Sequence, residues 1–168
     1  MKKILSLVTI AMLTVTVIRA QNGWITHKGD DRVSVKFPSE PKETVPGTFV
    51  SIASKDSSIV YVFSIVDFTK FGIDSAALVP LKTIPQFAAQ LKAGIKKSIP
   101  AADFEDIKIS TWKGFTSYTT SGTDSKAKKY DMFMFIIGSK LYSLSTVRLS
   151  GVDVKGRDDY FAAVEITH

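Results

Sequence analysis

The side chains of this 168-residue chain that could do chemistry are two histidines, three adjacent carboxylate pairs, a cluster of lysines and a set of aromatics. His27 stands before Lys28-Gly29-Asp30-Asp31, a turn composition, and His168 is the last residue, so neither has zinc-ligand spacing. A serine hydrolase would need His27 as its base, yet no serine lies in a nucleophile-elbow pattern, and His27 reads as an exposed turn residue. Asp30-Asp31, Glu105-Asp106 and Asp158-Asp159 could bind calcium or act as acid and base. None has the EF-hand spacing, and turn solvation and helix-start electrostatics account for all three. The chain has no cysteine, which excludes thiolate nucleophiles, thiolate metal sites and disulfides. No P-loop or dinucleotide glycine pattern is present. Trp24, Trp112, Tyr118, Tyr130 and Tyr142 could form a stacking platform, although strand aromatics more often pack as core or cross-strand pairs. No catalytic, metal-ligating or cofactor-binding residue is assigned.

Two weaker sets remain. The polar segment 121–129 could present Lys126, Lys128 and Lys129 to an acidic partner or to lipid head groups, a solvated hairpin tip being the plainer reading. Phe63, Phe87 and Phe135 are candidate walls of a pocket between sheet and helix.

The elements that must position these residues are legible from periodicity. Val33, Val35 and Phe37 alternate with Ser34 and Lys36, the pattern of a strand with one wet face, and Pro38 and Pro41 end it. Residues 24–26 form a partner strand. A hairpin is expected from 49–54 to 59–68, turning at 55–58. Both faces of 59–68 are apolar, as are both faces of 132–137, and a strand of that kind must be covered on both sides. Gly138-Ser139-Lys140 turns the chain into a further strand, and 107–112 and 115–120 are strands meeting near Lys113-Gly114.

Phe87, Ala88, Leu91, Ile95 and Ile99 fall on one helical stripe. Thr83 is placed to cap that helix, Pro85 lies in its first turn, Lys96 and Lys97 suit its C-terminal dipole, and Pro100 stops it. A shorter helix spans 157–164 with Phe161 and Val164 inward, and 75–79 is expected to make a helical turn. Hairpin-linked strands, two of them dry on both faces, imply an α+β fold: a three-layer α/β/α sandwich with a central antiparallel sheet.

Residues 1–20 follow a different grammar. Lys2 and Lys3 precede an uncharged apolar run of about 15 residues that ends at Arg19-Ala20, too short for a span of roughly 20. This is the pattern of a secretory signal peptide, with cleavage expected after Ala20. It places the mature domain, residues 21–168, in the periplasm or outside the cell, with no membrane span. The missing cysteine closes the lipoprotein route. The formal charge of +6 includes Lys2, Lys3 and Arg19, so the mature chain carries about +3. That is too mild and too scattered for nucleic-acid binding.

Three stretches carry a resemblance: Val-Ser-Val-Lys-Phe-Pro-Ser-Glu-Pro-Lys (33–42), Met-Phe-Met-Phe-Ile-Ile-Gly-Ser-Lys-Leu-Tyr-Ser-Leu (132–144) and Asp-Asp-Tyr-Phe-Ala-Ala-Val (158–164). Together they resemble the PsbP-like group, which includes extrinsic subunits of photosystem II, bacterial secreted relatives and a Ran-binding nuclear import factor of similar fold. The resemblance implies an α/β/α sandwich and a non-catalytic accessory or binding role toward an envelope or extracellular protein. No functional residue carries over. The alternatives are a carrier of a small apolar ligand and, more distantly, a hydrolase.

Overall fold

Period-two alternation along Val33, Val35 and Phe37 places all three on one face, and each is essentially inaccessible to water. The same rule, applied strand by strand, builds the molecule. The computed structural model describes residues 23–52 and 58–167. Its strands are β1 (Ile25–Lys28), β2 (Val33–Phe37), β3 (Lys42–Val45), β4 (Thr48–Ile52), β5 (Ile59–Asp67), β6 (Ala102–Phe104), β7 (Lys108–Trp112), β8 (Phe115–Asp124), β9 (Lys128–Ile137), β10 (Lys140–Leu149) and β11 (Val164–Ile166). Its helices are α1 (Ser75–Leu81), α2 (Pro85–Ser98) and α3 (Lys155–Ala162), with a 3-10 turn at Phe68–Phe71.

The central sheet runs β3-β4-β5-β10-β9-β8-β6, and β7 shares the outer edge of β8 with β6. Every pairing is antiparallel. One face carries Tyr61, Phe63, Phe133, Phe135, Tyr142 and Leu144. These pack against Val35, Phe37 and Val164 of a small β1-β2-β11 sheet and against Tyr160 of α3. The opposite face carries Tyr118, Met134, Ile136 and Leu141, which pack against Leu78 of α1 and Phe87 of α2. The α/β/α sandwich is therefore as expected, with a three-stranded sheet added to the α3 layer.

Several local readings are corrected. Val164 belongs to β11 rather than to the last helix, whose fully buried residue is Tyr160. Thr83 does not cap α2: the N-cap is Ile84, which makes no side-chain cap, and Pro85 follows it. The segment 121–129 is mostly ladder, with only 125–127 between β8 and β9. The expected 55–58 turn lies largely outside the described residues. Lys113 and Gly114 both have positive φ, as a two-residue hairpin turn requires.

Asp30 ties the small sheet to the large one. From the β1–β2 turn its carboxylate accepts the N–H groups of Arg32 and Val33, the Lys140 ammonium at 2.8 Å and the Tyr142 hydroxyl at 2.7 Å. Burial alone would raise its pKa, but these donors outweigh it and bring the group down to about 2. Gly29, next to it, lets the turn lie directly on the Phe63 ring, where a β-carbon would collide.

Replacing Asp30 by Asn should cost about 2 kcal/mol at neutral pH. The folded carboxyl lies below its ordinary value of 3.8, so its contribution is complete above that value and is lost as pH falls through about 2. Urea unfolding of both proteins from neutral pH to pH 2 should therefore show curves that converge in acid.

Candidate functional site

Helix α2 follows its sequence stripe only part of the way. At its N-terminal end Phe87 is buried, its ring 6.0 Å from Tyr118 and 6.1 Å from Phe68. The Tyr118 hydroxyl donates to the Lys82 carbonyl and fixes the α1–α2 junction to the sheet. Burial pushes that phenol far above its ordinary range, so it stays a neutral donor. One and two turns further on, Leu91 and Ile95 are only half-buried, and Gly94 and Ser98 are exposed. There the helix and the sheet separate by a groove of about 470 Å³.

The sheet side of the groove combines Val62, Val66, Met132, Met134 and Leu141 with three hydroxyls, Ser64, Ser143 and Ser145. Ser64 and Ser143 are direct cross-strand partners. The opening exists because β5 is less covered than its apolar pattern demands. Tyr61 and Phe63 are buried on one face, whereas Val60, Val62 and Ser64 on the other are half-buried and Val66 is 38% exposed. Strand β9, by contrast, is buried at every position from Phe133 to Ile137. Gly94 widens the groove: a β-carbon there would have nothing within 4 Å.

The sequence-derived candidates are distributed as follows. Phe63 and Phe135 lie in the core on the α3 side and Phe87 on the α2 side, so the sheet separates them and they share no pocket. Lys126 and Lys128 are exposed near the end of the groove, at the β8–β9 turn, where the Asp124 carboxylate accepts both their backbone N–H groups and the Tyr130 hydroxyl. Lys129 points to the other face and donates to the Thr123 hydroxyl. His27 is not on a turn but in β1, with its ring 4.1 Å from Phe49. Burial holds its pKa below the ordinary value, and its Nε2 has no hydrogen-bond partner among the described residues.

The acidic pairs are engaged locally: Asp31 with Lys28, Asp106 with Lys92, Asp158 with Arg157 and Asp159 with Lys155. Among the described residues no group of three or more His, Asp or Glu is placed to hold a metal ion. Of the aromatics considered for stacking, Trp24 packs on Tyr61 and Tyr160, Trp112 packs on Phe133 and Phe135, and Tyr130 lines the groove. Sequence reasoning missed the groove residues because it looked for large aromatics, whereas the space is created by small side chains.

A central antiparallel sheet with two helices on one face, and a small sheet plus a helix on the other, is the PsbP-like fold. Similar solved structures include the solution structure of cyanobacterial PsbP (CyanoP) from Synechocystis sp. PCC 6803, with TM-score 0.65 and 11% identity over 89% of this chain and 96% of that one. A crystal structure from Bacteroides thetaiotaomicron VPI-5482 matches with TM-score 0.54 and 12% identity, over 89% of this chain and 50% of that longer one. No protein-family model matches the chain, and no curated protein does. Among the described residues no helix is long and apolar enough to cross a membrane.

Gly94→Ala should raise stability by about 0.5–1 kcal/mol, because a mid-helix glycine is entropically costly and the added methyl meets no neighbour. Urea titration should show a higher midpoint at unchanged slope.

Proposed function

We propose that this chain is an exported, non-catalytic binding protein whose recognition surface is the groove between α2 and the sheet. The observation that carries the reading is the incomplete cover of an apolar sheet face at Val62, Val66 and Met132, opposite a helix that presents Gly94 and Ser98 among its facing residues. Apolar surface left open beside polar groups is the ordinary signature of a site that binds something. The likeness to PsbP-like structures is consistent with an accessory role, and the basic, apolar order of residues 1–20 supports export to the periplasm or beyond. The hydrolase alternative has little support, since His27 is wedged against Phe49 without a hydrogen-bonded acid or nucleophile among the described residues. The occupant is a protein of the envelope or extracellular space or a small apolar ligand.

The test is a photo-crosslinking amino acid placed at Ile95, in the groove wall, with an identical probe at Thr26 on the far side of the sandwich as control. Irradiated in cells, the Ile95 protein should form a defined adduct and the Thr26 protein none. Equal labelling, or none at Ile95, overturns the reading. The intact mass of the same samples should lack residues 1–20; a full-length mass in the membrane fraction would refute export.

A further inference from the structure

The groove is apolar along its length, with hydroxyls in its middle. At one end Val66 and Leu141 on the sheet face Leu91 on α2. In the middle, Ser64 and Ser143 share a rung of the β5–β10 ladder, and Ser145 lies two residues further along β10, with Gly94 and Ser98 on the helix side. At the far end Tyr130 and Val147 line the sheet wall and Ile99 the helix wall, and beyond them Lys128, two residues before Tyr130 on β9, shares its face by strand alternation. Lys126 and Lys128 are exposed and make no side-chain ion pair or hydrogen bond to the described residues, although the Asp124 carboxylate at the same turn interacts electrostatically with Lys128. The Ser143 hydroxyl makes no hydrogen bond to the described residues and opens on the groove, where solvent reaches it. A ligand that displaces water from the groove must offer this hydroxyl a partner in its place.

We propose that the groove holds a monoacyl lipid with an anionic head. This rests on the groove being the binding surface. The acyl chain lies over Val66, Leu91 and Leu141. The ester or amide that joins chain to head pairs with Ser143 and its neighbours. The anionic group meets Lys128 and Lys126. The length is suitable: the helix wall from Gln90 to Ile99 runs about 14 Å, enough to cover much of one extended acyl chain. Met132, opposite Ser145, stands four residues from Lys128, about 13 Å along the strand, which a lysine side chain shortens toward the reach of a head group. Both walls are predominantly apolar, interrupted by Ser64, Ser143 and Ser145 on the sheet and by Gly94 and Ser98 on the helix, a lining that suits an acyl chain.

Titration calorimetry and native mass spectrometry on the exported protein, below micelle-forming concentrations, test this with lysophosphatidylglycerol, an N-acylglycine, a monoacylglycerol and an alkyltrimethylammonium salt. One-to-one binding of the first two is expected, with the monoacylglycerol about fivefold weaker and the cationic surfactant not bound. Binding of only the phosphate ester or only the acylglycine assigns the source of the lipid. Lys128→Glu should remove the preference for anionic heads while leaving monoacylglycerol affinity unchanged. Gly94→Phe, or Ser98→Trp on the next turn should the first fail to fold, should abolish binding of all of them. The proposal is overturned if no amphiphile binds one-to-one, if the cationic surfactant binds as well as the anionic lipids, or if filling the groove changes nothing. A protein adduct at the Ile95 crosslinking position would also overturn it while leaving the groove as the recognition surface.

Discussion

Strand β9 sets the terms for the whole molecule. Phe133, Met134, Phe135, Ile136 and Ile137 are consecutive and all buried, so water is excluded from both faces of the sheet centre. A β-strand cannot bury both faces by itself, and the rest of the chain must supply a layer on each side. One layer is assembled from the two ends of the domain: β1 and β2 come first, α3 and β11 come last, and β11 pairs with β2 so that the ends close on each other. The other layer comes from the middle of the chain, as α1 and α2. The fold is thus a solution to covering a twice-apolar hairpin with segments distant in sequence.

Covering is easier than fastening. Hydrophobic contact between layers is non-directional, and the fixed geometry comes from a few polar groups at the layer edges. Asp30 anchors the small sheet to β10, and Tyr118 anchors the α1–α2 junction to β8. Asp131, 8% exposed, accepts from Arg148 and Arg157 at 3.3 Å each and joins β9, β10 and α3. Each acidic group with partners of this kind is committed to structure. Among the acidic pairs of the sequence, Asp30 is held in this way, whereas Asp31, Asp106, Asp158 and Asp159 make surface ion pairs with neighbouring lysines and arginine.

Legibility follows burial. Strands β2, β5 and β9 and helix α2 could be read because each has an apolar period with a buried counterpart. Strand β3 could not: Lys42, Glu43, Thr44 and Val45 are all exposed at a sheet edge, so no alternation marks them. Strand β6 is only three residues long, too short to show a period. The arms of the β8–β9 hairpin looked like a loop because their outer halves are polar and hold their place through backbone ladder bonds and the Asp124 cap. Phe63 and Phe135, candidate pocket walls in the sequence, lie in the core on the α3 side. Pairing them with Phe87 failed because periodicity tells which residues share a face of one element, not which face of the sheet a distant helix will cover.

The groove follows from the same constraint that makes the fold. Eight strands present more apolar surface than α1 and α2 can cover, and the shortfall appears at β5 beyond the reach of Leu91. A chain under selection for stability alone would fill that gap with a larger residue at position 94, where the glycine has a normal helical φ and no neighbour that would oppose a side chain. Neither backbone geometry nor packing requires glycine there, and it carries the intrinsic cost of glycine in a helix. What the small residues at 64, 94, 98, 143 and 145 have in common is the volume they leave among the apolar side chains of both walls. The feature that is hardest to account for as part of the scaffold is therefore the one with the strongest claim to be the site.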